Sequence, residues 1–372
     1  MDANKFIDIL EDLGSRFYTG VPDSLLSPFI DSVMDKYGVS DKHVVAANEG
    51  AAVGIAAGHY LATGKPAIVY MQNSGIGNAA NPICSLLHKK VYSIPVIFVI
   101  GWRGEPGTKD EPQHVFQGEV TLPMLDCLEI PYIVISKDSD LDQENETFRQ
   151  HLDSGRSIAF VIRKGALSND KAMKYTSISP LSREESLKII LAASDKEDIF
   201  VCTTGKLSRE IFELRENSGA GHGNDFLTVG SMGHSLAIAH GIALAKPEKR
   251  IWCLDGDGAM LMHMGSLAVI GAHSPSNIVH IVINNGAHET VGGLPAVSNK
   301  LCLSKIALAS GYSETYRAAN QVELVQILDN IKEKNGPVFV EVMCNLNSRS
   351  DLGRPTTTPQ ENKVELMAVL AK

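Results

Sequence analysis

The chain has 372 residues, of which 44% are hydrophobic and 21% are charged, and its formal net charge is −9 at pH 7. This length is sufficient for two domains that each bury a hydrophobic core. The acidic balance and the lack of any dense Lys/Arg stretch exclude nucleic acids and anionic membranes as expected partners.

The apolar segments, the N-terminal residues and the cysteines indicate in which cellular compartment the protein is expected. No segment is long and apolar enough for a membrane span, and residues 1–14 predict an acidic amphipathic helix, not a signal peptide. The 6 cysteines are scattered and form no CxxC pair, which is typical of small buried thiols in a reducing environment. We therefore expect a cytoplasmic protein without a membrane partner.

Short apolar runs alternate with helical patterns in the first half of the chain. After the N-terminal helix, strands are predicted at 16–21, 43–47, 66–72, 95–101, 131–135 and 157–163. Helices are predicted between them at 24–37, 49–63, 77–91, 114–128 and 139–153. Val/Ile-rich strands joined by helical crossovers indicate a parallel sheet that is covered on both faces.

The second half repeats this scheme after a polar stretch, 171–182, that we interpret as a linker. Its strands are predicted at 198–203, 226–230, 250–255, 277–284, 313–317 and 337–344. Its helices are predicted at 183–194, 206–217, 233–245, 259–273, 303–311 and 320–335. The sequence thus predicts an α/β protein with two domains, 1–170 and 183–372, each a mostly parallel sheet with helices on both faces.

Two short motifs stand at the carboxyl ends of successive strands, where ligands of such sheets bind. The first is GDG at 256–258, which opens a helix at Ala259, and the second is NN at 284–285. Glycine at positions 256 and 258 lets the backbone approach a ligand closely, and amides at the start of a helix favour phosphate. We expect Gly256, Gly258 and Ala259 to contact such a group.

A carboxylate at the same place would repel phosphate unless a cation lies between them. Mg²⁺ suits this position, because it binds one or two protein oxygens together with phosphate oxygens and water. We predict that Asp257, the amide oxygen of Asn285 and the backbone carbonyl of Ala287 are the metal ligands.

The GDG motif, followed after 25 residues by NN, resembles the diphosphate-binding motif of thiamine-diphosphate-dependent enzymes. The segment 46–83 resembles the pyrimidine-binding half of that family, with an acid at a strand end, a helix of small residues and a Gly/Asn turn. Glu49 falls on the family's catalytic glutamate, which hydrogen-bonds the aminopyrimidine and so activates the cofactor. The resemblance also implies that Asn73, in the Gly/Asn turn, contacts the cofactor.

Two further segments of the second half are similar to cofactor-binding segments of the family. In 227–245, the resemblance implies a backbone carbonyl at Gly230 that accepts from the pyrimidine amino group, followed by Ser231 and an apolar wedge at Met232. The wedge would bend the cofactor so that its two rings approach each other. A third group, at the end of the strand 198–203, resembles the loop that lines the cofactor: Thr203, Thr204 and Gly205.

The resemblance covers most of the chain, with the first half as the pyrimidine (PYR) domain and the second as the diphosphate (PP) domain. Many relatives carry a third, central domain, but here only the linker lies between the halves, which suits a minimal decarboxylase. In this family the cofactor lies between the pyrimidine domain of one subunit and the diphosphate domain of another. We therefore expect at least a homodimer, with thiamine diphosphate and Mg²⁺ as cofactors.

Two polar loops are candidates for substrate binding and proton transfer. Residues 102–114 combine glycines and prolines with charged side chains, and 348–363 carry two arginines in a Pro/Gly-rich setting. Guanidinium groups suit a small dianion, since they pair with phosphonate or carboxylate oxygens. The predicted substrate-binding residues are Arg103, Lys109, Arg349 and Arg354, and the predicted proton donors and acceptors are Asp110, Glu111 and His114, with His288 behind them.

Both loops resemble segments of phosphonopyruvate decarboxylases, and the first is shared with sulfopyruvate decarboxylases. These enzymes act on a 2-oxo acid that carries a second anionic group at C3, and the resemblance favours phosphonopyruvate, which would give phosphonoacetaldehyde and CO₂. The alternatives are a sulfopyruvate decarboxylase, a carboligase of the acetolactate-synthase type, and a non-catalytic diphosphate-binding module. The last alternative has no use for Glu49, and the missing central domain disfavours the carboligase.

Overall fold

The computed structural model describes residues 1–139, 141–171, 173–177, 179–289 and 292–372, without the side chains of 142–144. The chain divides into two compact units, Met1–Lys174 and Tyr175–Lys372. In the described part of the chain, no helix is long and apolar enough to cross a membrane.

The first unit alternates strands and helices as predicted. Its strands are β1 (Tyr18–Gly20), β2 (His43–Val45), β3 (Ala67–Gln72), β4 (Val96–Gly101), β5 (Tyr132–Ile135) and β6 (Ile158–Ile162). Its helices are α1 (Ala3–Asp12), α2 (Ser27–Tyr37), α3 (Glu49–Thr63), α4 (Gly75–Pro82), α5 (Pro112–Cys127) and α6 (Asp142–Asp153). A π-helical turn, Ile83–Leu87, continues α4.

The second unit repeats the alternation and adds a small hairpin. Its strands are β7 (Ile199–Cys202), β8 (Asp225–Leu227), β9 (Ile251–Gly256), β10 (Ile278–Asn284), β11 (Ala287–His288), β12 (Leu294–Pro295), β13 (Glu314–Ala318) and β14 (Val338–Met343). Its helices are α7 (Arg183–Ala193), α8 (Lys206–Ser218), α9 (Ser235–Ala245), α10 (Asp257–Met262), α11 (Gly265–His273), α12 (Leu303–Ala309), α13 (Gln321–Ile331) and α14 (Pro359–Leu370).

Both units contain a parallel sheet of six strands with the same connectivity. The order is β2-β1-β3-β4-β6-β5 in the first unit and β13-β14-β10-β9-β7-β8 in the second. Counted within each six-stranded sheet, without the β11–β12 hairpin, and read in the second unit from β8, both orders are 2-1-3-4-6-5. The direction of winding reverses between the first and third strands, and ligands of open α/β sheets bind at the carboxyl ends of the strands that flank such a reversal.

Both faces of each sheet are buried, which confirms the predicted fold class. All six residues of β4 are buried. On one face of the first sheet, Ala52 and Ala56 of α3 pack in the same cluster as Phe98 of β4. On the other, Phe160 of β6 stacks edge-on against Phe6 of α1, with ring centroids 5.3 Å apart. Side chains that point to either face are thus removed from water, so the strands read as continuous apolar runs.

Local signals explain where several helices begin and end. Helix α3 follows Asn48, whose side chain accepts from the amide of Ala51, and it ends at Gly64 in the left-handed conformation. Thr358 and Glu361 form a capping box at the start of α14. This helix begins inside the stretch 348–363, which was predicted to be a loop. The prediction was wrong there because the capping signal follows several Pro and Thr residues, which favour irregular structure.

Two predicted helices are interrupted in the structure. The helix predicted at 77–91 begins at Gly75 and changes to the π-helical turn after Pro82, because proline lacks the N–H that would continue the α-helical hydrogen bonds. The helix predicted at 259–273 begins at Asp257 and breaks between Met262 and Gly265. The β11–β12 hairpin was not predicted, since each of its strands has only two residues.

Candidate active site

Glu49 is the first residue of α3, just beyond the carboxyl end of β2, and its side chain is buried. Its Oε2 accepts a hydrogen bond of 2.8 Å from Nδ2 of Asn78, which belongs to α4. The N-cap Asn48 fixes the turn that leads into the helix. The carboxylate of Glu49 therefore lies at the carboxyl ends of the strands, shielded from water, and a hydrogen bond holds one of its oxygens in place.

Gly75 makes the space that the carboxylate occupies. A methyl group at position 75 would lie 2.5 Å from Cγ and 2.7 Å from Oε1 of Glu49. Real Cβ atoms do not approach other heavy atoms so closely, so any side chain at position 75 would displace the carboxylate. The glycine of the Gly/Asn turn is thus matched to the acid on the neighbouring helix.

Asp23 is a second buried carboxyl group at this edge, and the sequence analysis missed it. It follows β1, accepts 2.8 Å from Nε2 of Gln72 at the end of β3, and lies where a side chain at Gly101 would otherwise sit. Burial raises the pKa of Asp23, in spite of the hydrogen bond from Gln72 and the positive charge of Arg103. A buried acid with a raised pKa beside the reversal of the sheet is a candidate for proton transfer. The available signal was an acid in the turn VPDS directly after a strand.

Asn73 is fully buried and holds neighbouring segments together. Its Nδ2 donates to the carbonyl of Arg103 and to Oγ1 of Thr121, each at 2.8 Å, and its Oδ1 accepts 3.3 Å from the amide of Arg103. The predicted cofactor contact through this side chain would compete with these bonds. The structure instead indicates that Asn73 joins the end of β3 to the loop after β4.

That loop contains most of the charged residues predicted in the first unit. The guanidinium of Arg103 pairs with both carboxylate oxygens of Asp110, at 2.8 and 2.6 Å, and also donates to Oγ of Ser24. Burial raises the pKa of Asp110, but hydrogen bonds from Arg103 and from backbone amides outweigh it and hold that pKa well below its usual range. Asp110 therefore stays ionised, which argues against the predicted role as a proton donor.

The three other predicted residues of this loop differ in exposure. Lys109 is exposed, and Glu111 is half-buried at the N-cap position of α5, where its side chain makes no capping hydrogen bond. His114 lies in the first turn of α5 and is buried. Burial, followed by the nearby charge of Arg103, lowers the pKa of His114, so its imidazole is neutral at pH 7 and can accept a proton.

In the second unit, Asp257 begins α10 beyond the end of β9 and is only 3% exposed. Its Oδ2 accepts a very short hydrogen bond from Oγ of Ser298. Burial nevertheless raises the pKa of Asp257 to about 6. The hydrogen bonds that it accepts thus do not offset the loss of water, and a bound cation would stabilise its ionised form.

Asn284 and Asn285, at the end of the neighbouring strand β10, have different partners. Asn284 is buried, donates 2.8 Å to Glu341 and accepts from the amide of Gly286, so it closes the turn. The Oδ1 of Asn285 accepts 3.1 Å from the amide of Ala287, and its Nδ2 donates 3.1 Å to Glu289. The strands β9 and β10 are hydrogen-bonded neighbours, so the predicted metal ligands lie at one sheet edge.

The loops after β7 and β8 also meet here. Oγ1 of Thr204 donates 2.7 Å to the carbonyl of Val229, and Gly205 adopts φ of +94° as the N-cap of α8. Thr203 is buried and its amide donates to Leu254 of β9. Ser231 has a positive φ of 56°, a strained conformation for a residue with a side chain, and such strain concentrates at ligand sites.

Met232 and His288 approach the GDG turn from two sides. A methyl group at Gly258 would lie 3.1 Å from Cε1 of His288 and 3.5 Å from Cε of Met232. Gly230, whose carbonyl is predicted to accept from the cofactor, directly precedes Ser231, the strained residue of this loop. Desolvation lowers the pKa of His288 to about 4, so a neutral imidazole stands beside the predicted wedge.

These residues fit a magnesium–diphosphate group. The hard oxygen donors at Asp257 and Asn285 match the preferences of Mg²⁺, and the raised pKa of Asp257 marks a carboxylate that lacks positive charge. The end of β9 is open at Gly256, because in the described part of the chain no atom beyond the two neighbouring residues lies within 4 Å of where its Cβ would stand. A diphosphate could therefore approach the backbone at the start of α10.

The two C-terminal arginines have other surroundings. Arg349 pairs with Glu184, Glu213 and Asp351, so carboxylates outnumber the guanidinium and would repel a dianion. This argues against its predicted role in substrate binding and indicates that it fastens the C-terminal stretch to α7 and α8. Arg354 is exposed.

Comparisons with known proteins agree with this arrangement. Residues 3–125 match the model of the thiamine pyrophosphate enzyme N-terminal TPP binding domain, and residues 204–342 match that of the C-terminal TPP binding domain. The chain is 33% identical over 371 residues to a phosphonopyruvate decarboxylase of Streptomyces viridochromogenes, covering 95% of this chain and 90% of the relative.

Two further relatives align over nearly the whole chain. A phosphonopyruvate decarboxylase of Streptomyces hygroscopicus is 31% identical, covering 97% of this chain and 92% of the relative. A sulfopyruvate decarboxylase of Methanosarcina acetivorans is 25% identical, covering 91% of this chain and 90% of the relative.

Proposed function

Since the chain belongs to the thiamine pyrophosphate enzyme family, we propose that it is a carboxy-lyase that converts phosphonopyruvate into phosphonoacetaldehyde and CO₂. The observation that carries this proposal is the similarity, over at least 90% of either chain, to two phosphonopyruvate decarboxylases. The lower identity, 25%, to a sulfopyruvate decarboxylase makes sulfopyruvate the second candidate substrate. The reaction would serve phosphonate biosynthesis in the cytoplasm.

Asp257, Asn285 and the carbonyl of Ala287 would hold Mg²⁺, with the diphosphate at the start of α10. When bound, thiamine diphosphate supplies the carbon nucleophile and accepts the electron pair that CO₂ leaves behind. Met232 offers the apolar surface, and its loop is pinned through Thr204 and the carbonyl of Val229.

Glu49 would exchange a proton with the pyrimidine ring. The hydrogen bond from Asn78 occupies Oε2, so Oε1, beside Gly75, is the oxygen available to the ring. Burial keeps water from competing for this carboxylate, which strengthens its hydrogen bond to the ring.

Decarboxylation consumes a proton at the carbon that loses CO₂. Asp23 is the candidate for its donor in the first unit, because burial raises its pKa and so favours the protonated form, whereas the neutral His114 is a candidate proton acceptor. In the second unit, the neutral imidazole of His288, beside the GDG turn, is a candidate for a hydrogen bond to the reacting group. Arg103 and Lys109 remain candidates for the phosphonate group, although Arg103 already pairs with Asp110.

The substrate proposal is tested by measuring kcat/KM for phosphonopyruvate, sulfopyruvate and pyruvate with added thiamine diphosphate and Mg²⁺. We expect the highest value for phosphonopyruvate and loss of activity in Glu49→Gln. A preference for pyruvate would contradict an anion-binding loop. CO₂ release by Glu49→Gln at the wild-type rate would contradict the mechanism.

We also propose that each complete site combines the pyrimidine unit of one subunit with the diphosphate unit of another. Glu49→Gln and Asp257→Asn chains, each inactive alone, can be co-expressed to test this. In a random mixture of dimers, shared sites would restore about a quarter of the wild-type activity, because each mixed dimer has one site without a lesion. If each subunit held its own site, every site would carry one lesion and no activity would return.

A further inference from the structure

Glu289 lies four residues beyond the predicted metal ligand Asn285 and receives a hydrogen bond from it. The Nδ2 of Asn285 donates to Oε2 of Glu289 at 3.1 Å. An asparagine side chain has nearly the same shape when its oxygen and nitrogen are exchanged, so neighbouring hydrogen bonds decide which atom faces which way. An ionised carboxylate only accepts, so the NH₂ group must face Glu289. The amide of Ala287, which donates to Oδ1 of Asn285 at 3.1 Å, favours the same orientation.

Glu289 is itself held by a network of charges. Nη1 of Arg183 lies 2.5 Å from its Oε2, and Nζ of Lys206 lies 3.6 Å from its Oε1. Arg183 also forms a two-point pair with Glu210, with both distances at 2.7 Å. Two positive and two negative groups thus balance, and Arg183 and Glu210 are buried.

The network joins elements that are distant in sequence. Arg183 is the first residue of α7, and Lys206 and Glu210 belong to α8. Nζ of Lys206 also donates to Oγ of Ser348 beyond β14. Lys206 directly follows Gly205, so the same charges fix the loop after β7 and the loop after β10, which are both predicted to reach the cofactor.

We infer that Glu289, fixed by Arg183, is a positioning residue that turns the amide oxygen of Asn285 toward the cation and its NH₂ group away from it. An amide nitrogen facing Mg²⁺ would bring a donor against a cation, and so abolish one ligand. This inference rests on the proposed function, because it assumes the cation site at Asp257 and Asn285.

A purely structural role is the competing explanation, since buried ion networks also stabilise folds. The positioning role and the structural role predict different effects on cation binding when the side chain of residue 285 has the same atoms at both ends. In Asn285→Asp, both terminal atoms are oxygens, and Glu289 would repel the new carboxylate. If Glu289 is a positioning residue, its removal should weaken cation binding in the protein with the native Asn285. It should not weaken cation binding in the Asn285→Asp variant.

The experiment is a double-mutant cycle of Glu289→Ala and Asn285→Asp in the full-length protein. Binding of Mn²⁺ is measured by electron paramagnetic resonance in the presence of thiamine diphosphate, without substrate. We expect Glu289→Ala to weaken Mn²⁺ binding about tenfold or more in the wild-type background. In the Asn285→Asp background it should leave binding unchanged or strengthen it.

Two more variants complete the design. Glu289→Gln keeps an acceptor for the Asn285 amide but loses its charge, so Mn²⁺ binding should be partly rescued relative to Glu289→Ala. It also replaces the alanine variant if that variant does not fold. Glu213→Ala is the matched control, because it removes a carboxylate of α8 that pairs with Arg349 instead, and its Mn²⁺ binding should equal that of the wild type.

Equal weakening in both backgrounds, or no weakening in the wild-type background, would overturn the positioning role. A wild-type protein that binds no Mn²⁺ with thiamine diphosphate would overturn both this inference and the proposed cation site. A wild-type protein that binds Mn²⁺ but does not act on phosphonopyruvate would overturn only the proposed substrate.

Discussion

The substitution Asp257→Asn should affect the folding stability of the metal-free protein and its binding of the cofactor in opposite directions. In the metal-free protein, burial raises the pKa of this carboxyl group from 3.8 to about 6. That difference corresponds to a cost of about 3 kcal/mol for keeping the group ionised at neutral pH. The side chain is only 3% exposed, so solvent does little to reduce this cost. Asparagine removes the charge, and with it the pH-dependent part of the cost.

The sign follows from proton binding. Well below pH 3.8, the pKa of the group in the unfolded chain, the carboxyl group is protonated in both the folded and the unfolded chain, and the charge has no effect. As the pH rises from 3.8 to about 6, the unfolded chain loses its proton first, so the wild type loses stability relative to Asp257→Asn. Above that window, the difference is constant. The substitution also alters the hydrogen bond to Ser298, which changes the difference in the free energy of unfolding by an amount that does not depend on pH.

The assay is urea unfolding of the metal-free protein, followed by tryptophan fluorescence. The chain has 2 tryptophans, one in each unit, at positions 102 and 252. A Trp102→Phe background leaves Trp252 of β9 as the reporter of the second unit. In this background, the free energy of unfolding is compared with and without the Asp257→Asn substitution at several pH values, in the absence and presence of Mg²⁺ and thiamine diphosphate.

We expect the stability difference to change by up to about 3 kcal/mol across the window in favour of the asparagine variant. Mg²⁺ with thiamine diphosphate should stabilise the wild type at pH 7 and leave Asp257→Asn unchanged. Parallel stability curves for the two proteins would refute the reasoning, since they would mean that Asp257 carries no desolvated charge in the folded state.

Three other substitutions test the rest of the site. Gly75→Ala should displace the Glu49 carboxylate and lower kcat, measured as CO₂ release. The control Gly77→Ala should not, because no described atom beyond its chain neighbours and its own helix backbone lies within 4 Å of its Cβ position. Asp23→Asn should lower kcat about 10²-fold or more and flatten the alkaline limb of the pH–rate profile; an unchanged profile would exclude Asp23 as the proton donor. His288→Gln should lower kcat with little change in thiamine diphosphate affinity, measured by calorimetry; an unchanged kcat would exclude His288.

Much of the fold was predictable, because periodicity reports burial. Strands such as 95–101 were predicted nearly to their observed bounds, since residues buried on both faces form uninterrupted apolar runs. The two-residue strands of the β11–β12 hairpin give no periodic signal. The capping box of α14 was present at Thr358 and Glu361, but the preceding Pro/Thr-rich stretch concealed it.

The positions of the candidate site residues are predictable where a motif fixes them, whereas the partners of those residues are not. Asp257 and Asn285 stand in a motif with a fixed position at strand ends. Arg349 looked equally suited to an anion, but Glu184 and Glu213 from other segments pair with it, in addition to the nearby Asp351. Asn73 looked like a cofactor ligand, but its hydrogen bonds go to Arg103 and Thr121. Such partners are distant in sequence, so no local pattern reveals them.

The two sheets share one strand order, and in our proposal the two units supply different parts of one reaction. In each sheet, the winding reverses between the first and third strands, and polar groups gather at the carboxyl ends beside that reversal. In the first unit these groups include the acids Glu49 and Asp23, which we propose exchange protons. In the second unit, Asp257 follows the third strand of the sheet and begins α10, a position that we propose for a cation and a diphosphate. The same topology can thus present different chemistry at the carboxyl ends of its strands, and the residues that follow the strands decide which chemistry it is.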